Sequence, residues 1–258
     1  MNTVTSKDGT RIAYDRLGTG PAVILINGGP TDRRTNAPLA DLLQANFTVI
    51  NYDRRNRGDS GSDAPSSIDH EIDDLAAVLG AAGDQAFVFG SSGGAVLALQ
   101  AARVLPFARL AVWEPPFIVP GTRAPVPDSY LPQLTELLGE GRRGDAVALF
   151  MTQAVGVPAE FVDQMRHAPF WASLEGLAHT LVTDAALMGD WTVPTGQLAD
   201  VRVPTLVLDG GASPAASRTS ARAVTAALPQ AQHQSIEGQE HNVAPEAIAP
   251  VLRAFFTV

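Results

Sequence analysis

Short apolar, strand-like runs alternate along this chain with stretches of helical periodicity, and this alternation restricts the fold more than any other feature. The runs are AVILING at 22–28, FTVINYD at 47–53, AFVFGS at 86–91, LAVWE at 110–114, TLVLDG at 205–210 and HQSIEG at 233–238. Near-continuous apolar runs indicate strands buried on both faces, as in a parallel sheet. Between them, Ile72, Leu75, Val78 and Leu79 share one helix face, as do Ile248, Val251, Leu252 and Phe255. Strands and helices taken in turn predict an open α/β fold. Two earlier strands, about 2–6 and 10–16, are joined by KDGT, a hairpin-type turn.

Residues 115–200 break the rhythm. Their apolar positions fall on helical faces: Tyr130, Leu134, Leu137 and Leu138; Val147, Phe150, Met151 and Ala154; Phe161, Val162 and Met165; Leu174, Leu177, Ala178 and Leu181. The pattern predicts a core made of 1–114 and 201–258, with a helical lid of 115–200 inserted over the C-terminal edge of the sheet.

The totals bound the function. A chain of 258 residues, 45% hydrophobic, makes one globular unit that buries roughly 70–75% of its unfolded surface. A formal charge of −9 argues against partners that are nucleic acids or anionic membranes. The absence of cysteine excludes disulfides, thiolate metal sites and cysteine nucleophiles. The histidines are too dispersed for a metal site, and the lone Lys7 serves no phosphate-binding loop. No cofactor and no metal are expected. The opening MNTVTSKDGTRIAYDRLG has no secretory pattern, and no apolar stretch approaches the ~20 residues of a spanning helix. The expectation is a cytoplasmic protein, monomer or homodimer, acting on a small molecule.

FVFGSSGGA at 87–95 carries the chemistry. It fits G-x-S-x-G as Gly90, Ser91, Ser92, Gly93 and Gly94, with a strand-like run before it and a helical run after it. A serine on so tight a turn needs small neighbours, and Gly90 and Gly94 flank Ser92. With Ser91 at the centre one flank would be Phe89, so Ser92 is the candidate nucleophile. The turn sets it at a helix N-terminus, where partial positive charge favours a developing anion. A serine needs a base. Of the five histidines only His241, in EGQEHNVAPE, falls on a loop after a strand, at the edge where open α/β sheets build active sites. An oxyanion needs backbone N–H donors. Gly93 supplies one; Gly29, or alternatively Gly28, of INGGP at 26–30 supplies the other.

With DGTRIAYDRLGTGPAVILINGGP, INYDRRNRGDSG, FVFGSSGGA, VPTLVLDGG and EGQEHNV in this order, nearly the whole chain resembles the α/β-hydrolase superfamily. The resemblance implies an eight-stranded, mostly parallel sheet flanked by helices, a helical lid after strand 6, a Ser92–His241 pairing and oxyanion donors on Gly29 and Gly93. Arg54, Arg55 and Arg57 belong to a common loop-and-turn element of that superfamily, expected here as a solvated basic turn. Two departures matter. Asn27 stands where the superfamily usually has histidine, and is expected to bond neighbouring loop backbone. Ser213 stands where the acid usually lies, and a hydroxyl cannot stabilise an imidazolium by charge. Three answers stay open: Glu114, at the end of the sixth strand before Pro115 and Pro116; Asp209, at the tip of the seventh; or no acid at all.

The lid is rich in large apolar side chains, and Phe117, Phe150, Trp171 and Met188 are candidates to line a substrate pocket. Arg123, Arg142 and Arg143 are expected in solvent. The expected activity is a serine hydrolase of small to medium apolar carboxylic esters or lactones. The alternative is non-hydrolytic chemistry (a lyase, cyclase or acyl transferase) or a ligand-binding module, motivated by Ser213.

Overall fold

The computed structural model describes residues 1–61, 66–83 and 85–257. Eight strands form one sheet: β1 (Asn2–Thr5), β2 (Arg11–Leu17), β3 (Ala22–Ile26), β4 (Thr48–Tyr52), β5 (Ala86–Ser91), β6 (Arg109–Trp113), β7 (Thr205–Gly210) and β8 (Ala231–Ile236), in the order β1-β2-β4-β3-β5-β6-β7-β8. The β1–β2 and β2–β4 pairs are antiparallel; the others are parallel. Among the helices, α1 (Ala37–Leu43) follows β3, α2 (Ile68–Ala82) follows β4, and α3 (Gly93–Ala101) follows β5. Helices α4 (Tyr130–Gly139), α5 (Arg143–Leu149), α6 (Ala159–Met165), α7 (Trp171–Gly176), α8 (Leu181–Met188) and α9 (Thr195–Leu198) lie between β6 and β7, with α10 (Ala215–Ala227) and α11 (Pro245–Phe256) after them.

Successive strand residues feed opposite layers, as the pleat requires. Val88, Val112 and Val207 pack in one cluster with α2, α3 and α10, while Phe89, Trp113 and Leu208 pack in the other with α1 and α11. The chain leaves β3 toward one edge and returns to β5 before moving to the other. The reversal between β3 and β5 opens a crevice at their carboxyl ends, the usual ligand site of such sheets. The helical stretch between β6 and β7 has an apolar cluster of its own, with Tyr130, Leu134, Val147, Val162, Trp171 and Leu181. Helix α8 ties it to the sheet layers, since Leu187 and Met188 join the cluster around α3. Among the described residues no helix is long and apolar enough to cross a membrane.

The arginines after β4 are a correction. Arg54, Arg55 and Arg57, expected in solvent, are 0%, 2% and 1% exposed. The cause is the polar content of the helix faces above them. Glu71 and Asp74 lie on the same face of α2 as Leu75 and Val78, and all four are buried. Arg54 meets Glu71 in a two-pronged contact (3.0 and 2.8 Å) and reaches Asp184 of α8 at 2.9 Å. Arg55 holds Asp74 likewise (2.7 and 2.6 Å) and Asp8 at 2.9 Å. Arg123 is also drawn in: it is half-buried, donating to the carbonyls of Ala154 and Val155. Arg142 and Arg143 are exposed.

Because breaking one side of a buried pair strands the other charge, Arg54→Met should destabilise the protein by about 3–5 kcal/mol. Arg54→Met with Glu71→Gln should recover part of that loss. Denaturant midpoints of the two variants check this; equal losses would show that the stranded carboxylate is not the cause.

Candidate active site

The turn from β5 into α3 puts Ser92 at φ 53°, ψ −123°, a left-handed conformation that a non-glycine residue adopts only where its surroundings enforce it. The enforcement is close packing. A Cβ on Gly90 would stand 2.4 Å from the Gly94 carbonyl oxygen, and one on Gly28 would stand 2.5 Å from Ser91 O and 2.8 Å from both Gly93 N and Ser92 Cβ. The loop after β3 therefore lies directly on the elbow. A Cβ on Gly93 would be 3.6 Å from the Gly29 nitrogen, so the two expected oxyanion donors are neighbours.

On the other side of β5, strand β6 delivers Trp113 and Glu114. The Trp113 carbonyl accepts from Ser92 N at 2.8 Å, and its indole Nε1 donates to the His241 carbonyl at 2.8 Å. Glu114, next in sequence, has φ 43° and is 1% exposed. Its Oε2 lies 2.7 Å from His241 Nδ1, and its Oε1 accepts from Gly210 N at 2.9 Å. Burial pushes the Glu114 carboxyl up. The bond with His241, the adjacent Ser213 hydroxyl and the Gly210 N–H outweigh burial and hold it below the ordinary 4.5. The Ser213 side chain is buried and makes no well-directed hydrogen bond of its own. The His241 side chain is 47% exposed. Among the described residues no hydrogen bond joins the Ser92 hydroxyl to the imidazole. Such bonds are often long without a ligand and tighten in the substrate complex.

Of the two candidate acids, the structure brings Glu114 to His241 and takes Asp209 away. Asp209 pairs in register with Ser235 of β8 and accepts from its hydroxyl, while its other oxygen is 2.8 Å from His233 Nε2. It is fully buried, and each of its oxygens is bonded to a residue of β8. Of the three answers left open, the contact with Glu114 favours the first. The expectation for Asn27 is corrected: it is 2% exposed with neither amide atom bonded. In the neighbouring loop, Gly28 O accepts from Thr31 Oγ1 at 2.6 Å and Gly29 O from Arg57.

The four candidate lining residues are spread over two layers. Phe117 and Met188 are buried in the cluster around α3; Trp171 lies in the cluster of the helical stretch with its indole N–H on Glu175, and Phe150 packs against that cluster. The reading of the sequence missed Trp113, which resembles any core aromatic until its partners are known.

The model of the alpha/beta hydrolase family matches residues 23–251. The chain belongs to that family. An alpha/beta hydrolase from Sphaerobacter thermophilus DSM 20745 is 54% identical in its crystal structure, over 99% of this chain and all of that one, with a TM-score of 0.95. A thermophilic esterase from Thermogutta terrifontis (23% identical, TM-score 0.75, 99% and 97% covered) and the enol-lactonase from Burkholderia xenovorans LB400 (22%, 0.74, 100% of each) share the fold. The uncharacterized hydrolase YraK of Bacillus subtilis (strain 168) is 35% identical over 97 residues, so the chain spans about a third of that curated relative's length (35% of each). Family match and fold agree: this chain is an alpha/beta hydrolase.

The lowered pKa of Glu114 has a pH signature. A carboxyl held below its unfolded value adds stability that is complete above the unfolded pKa and is lost as pH falls through the folded one. The stability gap between the wild type and Glu114→Gln should narrow as pH falls below the ordinary 4.5. Urea midpoints across that range test it, and a gap that widens toward acid would refute it.

Proposed function

We propose that this enzyme hydrolyses carboxylic esters or lactones of small to medium apolar substrates through a covalent acyl-enzyme. Ser92 attacks the carbonyl carbon while His241 takes its proton. Glu114 holds the imidazole in the productive tautomer and balances the charge it gains. The N–H groups of Gly29 and Gly93 face the oxyanion of the tetrahedral intermediate. His241 then gives its proton to the leaving alkoxide, and a water, deprotonated by the same imidazole, releases the acid. Residues 115–200 act as the lid, with Phe117, Phe150, Trp171 and Met188 contributing to its apolar lining. No cofactor enters these steps.

One observation carries the reading: the 2.7 Å contact between Glu114 Oε2 and His241 Nδ1, made from the strand end whose carbonyl also holds Ser92 N. It meets the objection that Ser213 leaves the imidazole without a charge partner, which was the motive for non-hydrolytic chemistry. The esterase and enol-lactonase among the solved structures agree with the substrate class.

A fluorophosphonate probe should label Ser92, and Ser92→Ala should abolish both labelling and turnover of p-nitrophenyl esters. Glu114→Gln should lower kcat by about 10⁴-fold, whereas Asp209→Asn should leave kcat within about tenfold. Labelling at another residue, or a larger loss from Asp209→Asn than from Glu114→Gln, would overturn the assignment.

A further inference from the structure

The buried arginines after β4 are not equivalent. Arg54 alone pairs with both Glu71 and Asp184, so that much of the network needs no second cation. Arg57 is nevertheless present, 1% exposed, and its Nη2 shares with Arg54 the same Asp184 oxygen, at 2.7 Å. Asp184 Oδ2 and Arg57 Nε have no partner among the described residues. Burial, and after it the charge of Arg54, pull the Arg57 guanidinium below its ordinary value. As an ion pair this is a poor arrangement: two cations on one oxygen, out of water.

What Arg57 adds is contact with the loop after β3. Its Nη1 donates to the carbonyl of Gly29 and, at 3.3 Å, to that of Thr31. Gly29 has φ +54° and nothing within 4 Å of where a Cβ would be, so no side chain of its own helps to hold this conformation. The next residue, Pro30, has a fixed φ and no N–H. The Gly29 N–H shares its peptide with the Gly28 carbonyl, which accepts from Thr31 Oγ1 at 2.6 Å; by holding the Gly29 carbonyl with a charged donor, Arg57 fixes the peptide on the other side of the Gly29 Cα and so limits how far that N–H can turn.

We propose that Arg57 is a positioning residue for the oxyanion site, aiming the Gly29 N–H and tying it through Asp184 to helix α8 of the lid. The proposal rests on Gly29 as an oxyanion donor to the Ser92 reaction. A second tie runs alongside: His179, two residues before α8, places Nε2 2.8 Å from the carbonyl of Asn56, the residue before Arg57. A shift of α8 would therefore move Asp184, Arg57 and Gly29 together.

The test uses the full chain, p-nitrophenyl butyrate, a trifluoromethyl ketone that forms an oxyanion on the serine, and thermal melting. Arg57→Met should lower kcat about 30- to 100-fold, as expected for donor misplacement. KM should stay within about threefold, because only the transition state uses the donor. Ketone affinity should fall by a factor similar to kcat. Arg57→Lys, which keeps the charge, should recover part of the loss. Asp184→Asn, which removes the negative charge that anchors Arg57, should lower kcat about tenfold. If Arg57→Met does not fold, Arg57→Lys and Asp184→Asn decide the matter. Melting temperatures that fall while kcat and ketone affinity stay within about threefold of wild type would make Arg57 a structural tie alone and sink the proposal. Ser92→Ala separates this from failure of the underlying reading. If it keeps activity, both fall; if it is inactive while the Arg57 variants turn over normally, only the positioning role falls.

Discussion

The end of β6 holds the site together through Trp113. Its backbone carbonyl takes the Ser92 N–H, its indole N–H takes the His241 carbonyl, and its peptide leads into Glu114. Three parts far apart in sequence are thus referred to one buried residue on an interior strand of the sheet. Strands β3 and β6 flank β5, so the loop after β3 meets the elbow on one side and Glu114 meets the imidazole on the other. Any error in the β5–β6 register would displace the serine and the carboxylate relative to each other.

The arrangement carries local costs. Ser92 and Glu114 both have positive φ, worth on the order of 1–3 kcal/mol each in backbone strain. Both follow directly on strands whose residues are buried in two apolar layers, and those layers supply the surroundings that hold the strained conformations. Glu114 also loses water. Its two oxygens receive the imidazole and the Gly210 N–H, with Ser213 alongside, and these donors reverse the effect of burial on its charge.

What was legible in the chain was what is local. The strand runs, the faces of α2 and α11, and the glycines around Ser92 each declare themselves within a few residues. His241 could be chosen by position along the chain, because only one histidine follows a strand on a loop. The carboxylate that meets it could not, since the choice between Glu114 and Asp209 depends on which strand end faces the imidazole. His233 and Ser235, two apart on β8, fall on one face of that strand and so held the clue to Asp209; it is readable only once β7 and β8 are known to pair. The arginines were misjudged because a run of basic residues in a loop suggests solvent. The contrary signal was Glu71 and Asp74 at the spacing of the buried face of α2, with Asp184 between Leu181 and Met188 on α8.

Ser213 gains a meaning from this geometry that the chain alone obscured. It occupies the place where the superfamily usually has its acid, beside a glutamate that reaches His241 from the neighbouring strand. A second carboxylate at 213 would repel the charge on Glu114 and raise its pKa. A neutral hydroxyl avoids that repulsion and favours the ionised form of Glu114. The serine at 213 and the glutamate at 114 are therefore complementary: the carboxylate that meets His241 comes from the end of β6, and the loop after β7 sets a neutral hydroxyl beside it.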